Sequence, residues 1–292
     1  MNKILTGALL LLFSSSAAAQ TPRDSIAFAT AQWRTADLGG GAECRYAQID
    51  MFGSRQSISV ATYPGRRFTT SIVHLDRRAE STSDLGKAAG AEIAVNGSYF
   101  NVKTFEPVTF VLLDRKIVGR TTPEEAFRTN GVIAFKDRKG RRMEIFPCDT
   151  INVIFGSNAQ GKTNLLDVAR RYRSALAAGP VLIDGGKVVE YTSGSSFYTR
   201  RHPRTLIGKR ADGTVVMAVI DGRFKGQGDG ATIAETAYIA RQLGLTEALN
   251  LDGGGSSTLW TAQEGVLNHP YDNRRFDHEG ERGVPNCIVV RR

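Results

Sequence analysis

Cysteine is scarce in this chain. Cys44, Cys148 and Cys287 are the only three among 292 residues, and none belongs to a C-x-x-C pair, which excludes thiolate metal and dithiol redox motifs. In an oxidising compartment three thiols would give one disulfide and leave one over, and their spacing does not choose the pair. Also missing is any apolar run beyond the N-terminus approaching the roughly 20 residues of a membrane helix, so no membrane span is expected. Low-complexity linkers and internal repeats are absent as well. No nucleic-acid recognition motif accompanies the positive charge, so nucleic acid is not an expected partner.

What is present begins with a leader. Lys3 precedes the apolar stretch Ile4 to Phe13, and Ala17-Ala18-Ala19 offers an A-x-A cleavage site. This is the layout of a signal peptide over residues 1–19, with cleavage near Ala19 and export to the periplasm or beyond. No cysteine closely follows it to carry a lipid anchor. Residues 20–50 read as an N-terminal extension or edge strand, and 51–292 as one catalytic domain. The chain carries 38 Lys and Arg against 29 Asp and Glu, a formal net charge of +9. Much of it sits in arginine pairs such as Arg66-Arg67 and Arg274-Arg275, a balance that suits an anionic substrate or surface.

The texture is of short strands separated by turn signals. Hairpins are expected for Val108 to Leu113 with Lys116 to Val118, and for Gly131 to Lys136 with Arg142 to Phe146. Two more are Val181 to Ile183 with Lys187 to Val189, and Thr205 to Gly208 with Thr214 to Ile220, the last around Asp212-Gly213. Single strands are read at Phe68 to Leu75 and Ala91 to Val95. Helices are few. Thr232 to Leu243 opens on a T-x-x-E capping box, Thr232 with Glu235, and stops at Gly244. Leu165 to Leu176 places Leu165, Val168, Ala169, Tyr172 and Leu176 on one helical face, and a short turn starts at Thr122-Pro123. The pattern predicts a single α+β domain, with a mixed or antiparallel sheet of many short strands and a few helices.

Gly156 to Thr163 matches the P-loop pattern G-x-x-x-x-G-K-[ST], after a predicted strand at Ile151 to Phe155. The match lacks its partners. No strand ending in a Walker-B aspartate stands in a parallel array, hairpins replace crossovers, and an exported protein meets little nucleoside triphosphate. An NTPase is therefore not the reading adopted.

Chemistry concentrates at four strand ends: Asn96 to Asn101, His202-Pro203-Arg204-Thr205, Asp221-Gly222-Arg223, and Asn250 to Thr258, with Glu281-Arg282 and Asn286 near the C-terminus. Gly253, Gly254 and Gly255 let the backbone approach a ligand, and the N–H groups of such a turn form an anion nest. Ser256, Ser257 and Thr258 add hydroxyls, while Arg204, Arg223 and Arg282 offer forked donors to phosphate. Asp221, Asp252 and Glu281 are the carboxylates available for acid, base or nucleophilic work.

These ordered motifs, from about Ala91 to Val290 and including Ala178 to Ile183 and Glu235, resemble the phosphodiester glycosidase family, whose members include a lysosomal enzyme and exported bacterial proteins. The resemblance implies cleavage of the glycosidic bond of a sugar phosphodiester or phospho-glycan, releasing sugar and a phosphomonoester. It implies Asp252, Asp221 and Glu281 as catalytic residues, with Asp252 or Asp221 the reactive carboxylate. It also implies a substrate-binding set of Asn96, Arg204, Thr205, Arg223, Asn250, Gly254, Ser256, Ser257 and Arg282. Phe224 to Gly230 and Asn152 to Lys162 depart from the family's pattern, which leaves the substrate open. Two other readings also stay open: a phosphodiesterase cleaving the P–O bond, and a non-catalytic binder of envelope phospho-glycans. Asp221, Asp252, Glu281 and Asn250 offer oxygens of a kind that suits a hard cation, but their spacing matches no cation loop, and no metal or cofactor is assigned.

Overall fold

Two adjacent residues of positive φ, Phe52 (58°) and Gly53 (64°), set the turn of the longest hairpin, as tight hairpin connections require. They join β2 (Ala42–Met51) to β3 (Ser54–Pro64). In this computed structural model, which describes residues 21–137, 140–148 and 165–292, that hairpin belongs to an eight-stranded antiparallel sheet. Its order is β1 (Arg34–Gly39), β2, β3, β14 (Thr214–Ile220), β13 (Arg204–Lys209), β15 (Glu247–Asn250), β11 (Val181–Asp184) and β12 (Lys187–Val188). A second sheet of five strands runs β7 (Lys116–Gly119), β6 (Val111–Leu113), β10 (Ser174–Ala178), β8 (Gly131–Phe135) and β9 (Met143–Pro147). The third runs β17 (Gly265–Val266), β16 (Leu259–Thr261), β5 (Ile93–Asn96), β18 (Asn286–Arg291) and β4 (Thr69–His74).

The eight-stranded sheet is buried on both faces, which explains why β14 reads as an unbroken apolar run. Val215, Met217 and Val219 point to a core shared with the two smaller sheets, where they meet Val95, Ile133, Leu176 and Ile288. Val216, Ala218 and Ile220 face the other way. That second core is covered by α1 (Pro22–Ala29) and α5 (Ile233–Gln242). The capping box of α5 forms as expected, the Thr232 hydroxyl taking the Glu235 N–H and the Glu235 carboxylate the Thr232 N–H. Two small helices, α2 (Thr82–Ala88) and α4 (Ser196–Thr199), complete the layers with α3 (Leu165–Arg171) and a 3-10 turn at Pro123–Glu125.

The four expected hairpins are all present, and the fold is the α+β arrangement the pattern predicted. Two expectations need correction. The helix predicted from Leu165 to Leu176 ends at Arg171, and Ser174–Ala178 is instead a strand paired between β6 and β8. Cys44, Cys148 and Cys287 form no disulfide with one another: each is buried in a different apolar cluster. The expected signal peptide, the strand expected at Ile151 to Phe155 and the P-loop-like Gly156 to Thr163 lie outside the described residues. Among the described residues no helix is long and apolar enough to cross a membrane.

Candidate active site

The segment Leu251 to Thr258 crosses from β15 in the large sheet to β16 in the third sheet, and the candidate site sits at that seam. Three strand ends converge there: Asn96 closes β5, Arg204 and Thr205 open β13, and Asp221 follows β14. Between two glycine corners runs the backbone of Pro203. A Cβ on Gly222 would stand 2.4 Å from Pro203 N, and one on Gly253 would stand 2.6 Å from Pro203 O. The Gly254 N–H donates to that same oxygen at 2.9 Å. Gly254 itself has φ of 66° and starts a 3-10 turn over Gly254–Ser256. Glycine at 222 and 253 is thus the residue that lets both corners close on one proline.

A chain of hydrogen bonds joins the two aspartates behind this seam. Asn96 Nδ2 donates to the Asp252 carbonyl at 2.7 Å, and Asn96 Oδ1 accepts from the Thr205 hydroxyl at 2.9 Å and the Thr258 N–H at 3.1 Å. Thr205 meets Ser257 Oγ at 3.1 Å. The Ser257 carbonyl accepts from Asn268 Nδ2 at 3.0 Å, and Asn268 Nδ2 also donates to Asp221 Oδ1 at 3.1 Å. Asn250 Nδ2 donates to the Gly179 carbonyl at 2.9 Å and to the Tyr99 hydroxyl oxygen at 3.1 Å. Asn96, Thr205, Asn250 and Ser257 are therefore all buried in the frame of the loop.

The three candidate carboxylates divide sharply. Asp221, 1% exposed, accepts four hydrogen bonds, from Ser57 Oγ (2.6 Å), Asn268 Nδ2 (3.1 Å), the His269 N–H (2.9 Å) and His269 Nδ1 (2.8 Å). Glu281 lies at the start of α2, where both its oxygens are taken by the Ser83 N–H and hydroxyl. Of the three, only Asp252 keeps an oxygen with no hydrogen bond among the described residues: its Oδ1 takes the Gly253 N–H at 2.9 Å and Oδ2 is left over. Burial pushes its pKa up from the ordinary 3.8 to about 6, against the pull of the Arg128 and Arg282 charges, which favour the ionised form. Ser256 Oγ stands near enough to help hold that carboxylate charged, yet short of a well-formed hydrogen bond. Asn250 Oδ1, Thr258 Oγ1 and Asn286 Nδ2, all buried around the same loop, have no partner among the described residues either. They are hydrogen-bonding capacity the fold holds in reserve here.

The arginines divide as well. Arg204, expected to clamp phosphate, is 2% exposed and ties three backbone carbonyls: Ala231 O through Nε at 2.8 Å, and Phe197 O and Arg200 O through one terminal nitrogen. Burial lowers its pKa to about 10. Arg223, at positive φ (69°), is exposed, lies 5.1 Å over the Tyr271 ring and packs against Gly254. Arg282 makes a two-point pair with Asp272, both bonds 2.8 Å, pressed on the backbone of Gly255. Arg128, which no motif had singled out, stacks 3.9 Å over Tyr99 and bonds Glu125 at 2.6 Å.

Also unanticipated is the segment 268–280, before the expected Glu281-Arg282. It contributes Asn268 and His269 to Asp221, Tyr271 to Arg223, and Asp272 to Arg282 on Gly255. Phe276 stacks on His269 with ring centroids 3.7 Å apart and planes 6° apart. These residues carry no local motif, and the Asp221 and Arg223 they meet lie tens of residues earlier. Among the described residues no three His, Cys, Asp or Glu side chains gather as a metal site would need.

Comparison with known proteins gives a family model, described as phosphodiester glycosidase, that matches residues 89–291. The mouse N-acetylglucosamine-1-phosphodiester alpha-N-acetylglucosaminidase is 28% identical over 206 residues, 69% of this chain and 37% of the mouse protein. The SPbeta prophage-derived protein YomE of Bacillus subtilis (strain 168) is 38% identical over 90 residues, 31% of this chain and 13% of that protein. The chain thus spans well under half the length of these two relatives. Among solved structures, the zebrafish N-acetylglucosamine-1-phosphodiester alpha-N-acetylglucosaminidase catalytic domain superposes with a TM-score of 0.64 at 16% identity, over 89% of this chain and 88% of that one. A putative exported protein from Burkholderia pseudomallei K96243 superposes with a TM-score of 0.57 at 18% identity, over 82% and 75% of the two chains. At these identities the structural likeness is one of fold.

Proposed function

Because this chain belongs to the phosphodiester glycosidase family, we propose that it hydrolyses the glycosidic bond of a sugar phosphodiester, releasing the sugar and a phosphomonoester. The observation that carries this reading is Asp252. Alone among the three candidate carboxylates it has an unbonded oxygen, and it stands on a glycine turn with Arg128, Arg223 and Arg282 around it. Cleavage at an anomeric carbon builds positive charge on the sugar, which an ionised carboxylate stabilises. It also needs the bridging phosphate held. Arg223 supplies a forked donor, Arg282 the terminal nitrogen that its pair with Asp272 leaves over, and the Gly254–Ser256 turn supplies polar groups at close approach.

Asn96, Thr205, Asn250 and Ser257 serve the substrate indirectly in this reading, by fixing the Asp252 loop. Arg204 does so by fastening the His202-Pro203 run on which both glycine corners close. Asp221 and Glu281 act through other residues. The leader at residues 1–19 supports export to the periplasm or beyond, in keeping with a structural relative described as exported.

The test is turnover of a panel of sugar phosphodiesters in heavy-oxygen water, comparing the wild type with Asp252→Asn. Isotope in the released sugar, and loss of turnover in the variant, are expected. Isotope in the phosphate would assign P–O cleavage instead. Binding without turnover, unchanged in Asp252→Asn, would make the protein a phospho-glycan binder.

A further inference from the structure

Two of the four hydrogen bonds that Asp221 accepts come from one residue, His269. We infer that His269 Nε2 is the base that takes a proton from the attacking water, with Asp221 as its positioning residue. The inference rests on the proposed glycosidic cleavage and adds a second functional group to it.

The donor inventory fixes the tautomer. Ser57 Oγ, Asn268 Nδ2 and the His269 N–H all point donors at the Asp221 carboxylate. Asp221 therefore acts as an acceptor only, and the proton in the 2.8 Å contact with His269 Nδ1 belongs to the imidazole. In the neutral ring this leaves the lone pair on Nε2. The ring is also held in plane. Phe276 covers it at 3.7 Å, and His278 stacks at 4.6 Å with planes 30° apart. His278 is anchored in turn by its Nδ1 contact with Asn268 O at 2.9 Å. A carboxylate orienting an imidazole whose far nitrogen is left over is the arrangement that makes histidine a base in acyl transfer.

Placement ties this imidazole to the proposed site. Asn268, the residue before it, bridges Asp221 Oδ1 and the Ser257 carbonyl, so His269 is fastened to the loop that carries Asp252. The same segment then passes under Arg223 at Tyr271 and holds Arg282 on Gly255 through Asp272. If the pair only braced the end of β14, the Nδ1 donor would suffice. In the step inferred here, the water oxygen bonds to the anomeric carbon and its proton passes to His269 Nε2. The bond from that carbon to the phosphate oxygen breaks, its electron pair leaving on the phosphomonoester. The imidazolium then releases its proton to bulk water.

The experiment uses His269→Asn, whose side-chain amide keeps an N–H donor where Nδ1 stands and removes Nε2. With a sugar phosphodiester that the wild type turns over, kcat is expected to fall about 100-fold or more, with KM and thermal midpoint little changed. Sodium azide, a nucleophile that has no proton to lose, should restore turnover and give the glycosyl azide. Should the variant fail to fold, the wild type answers: its kcat should show a solvent deuterium isotope effect that azide abolishes. The inference is overturned by near wild-type kcat in His269→Asn, by a loss that azide leaves unrepaired, or by an isotope effect that azide does not change. A wild type that releases no sugar from any phosphodiester would instead sink the proposed function, and this base with it.

Discussion

Asn96 holds Asp252 by its backbone and leaves its carboxylate alone: the amide nitrogen donates to the Asp252 carbonyl at 2.7 Å, while Oδ2 of the acid takes no bond. The acid is thereby positioned without being neutralised. Substituting Asn96→Asp keeps an acceptor for Thr205 and Thr258 but removes the donor to Asp252. A buried carbonyl left unmet costs about 1–3 kcal/mol. Asn96 is fully buried, so the new carboxylate is also taken out of water and set against that carbonyl; denaturant unfolding should register a loss of at least that size, and kcat should fall with the loosened loop.

Asp252→Asn should separate stability from activity. Burial raises the Asp252 pKa from 3.8 to about 6, so the folded state binds this proton more tightly than the unfolded chain. The resulting stability is fully present below about pH 4 and is lost as pH rises through about 6. An asparagine, always neutral, avoids that loss. At pH 7.5 the variant should be more stable than the wild type by about 1–3 kcal/mol, read as a higher thermal midpoint, and near pH 4 the two should converge. Wild-type kcat should rise with pH through about 6 as the carboxylate ionises. A wild-type rate falling over that interval would make Asp252 a proton donor instead.

Gly255 and Gly97 are both crowded, with different expected consequences. A Cβ at 255 would stand 2.1 Å from Asp272 Oδ1 and 2.3 Å from an Arg282 nitrogen, the ends of two side chains. Gly255→Ala should displace that pair and raise KM about tenfold or more, with a small change in thermal midpoint. A Cβ at 97 would stand 2.0 Å from Asn286 Oδ1, which accepts the Ser98 N–H, and 3.0 Å from the Asn286 backbone oxygen. Gly97→Ala should therefore show chiefly as lost stability, about 1–3 kcal/mol by overpacking.

The two arginines of the central motifs should part in the same way. Arg204→Met strands the carbonyl of Phe197, at about 1–3 kcal/mol, and leaves Ala231 O with the His202 N–H alone, so its signature is a lower thermal midpoint. Arg223→Ala removes an exposed cation that packs on Tyr271. It should leave stability within about 0.5 kcal/mol and raise KM for the phosphodiester.

The sequence made the local devices legible and the remote ones not. The capping box at Thr232 and Glu235 is complete within four residues, and Asp212-Gly213 marks its hairpin by itself. At Leu165 to Leu176 the helical period fails because β10 is buried on both faces, so Ala175, Leu176 and Ala177 are apolar for a reason that periodicity cannot separate from a helix. For the site, the glycine-rich run around Asp252 was legible because its chemistry is contiguous. The use made of Arg204 and Glu281 was not, since the acceptors of one and the donors to the other are fixed by tertiary contacts such as Glu281 with Ser83. His269 has no motif, and the aspartate that orients it comes 48 residues earlier.

The proline between two glycines has a bearing on how this protein could be altered. With Pro203 wedged between Gly222 and Gly253, the floor of the site offers a mutational library almost nothing to vary. Tyr271, Asp272 and Arg282, which pack on Arg223 and Gly255, come from 268–284, a segment with almost no regular secondary structure. Variants selected for a new aglycone should accumulate their changes there, and leave the strand ends as they are.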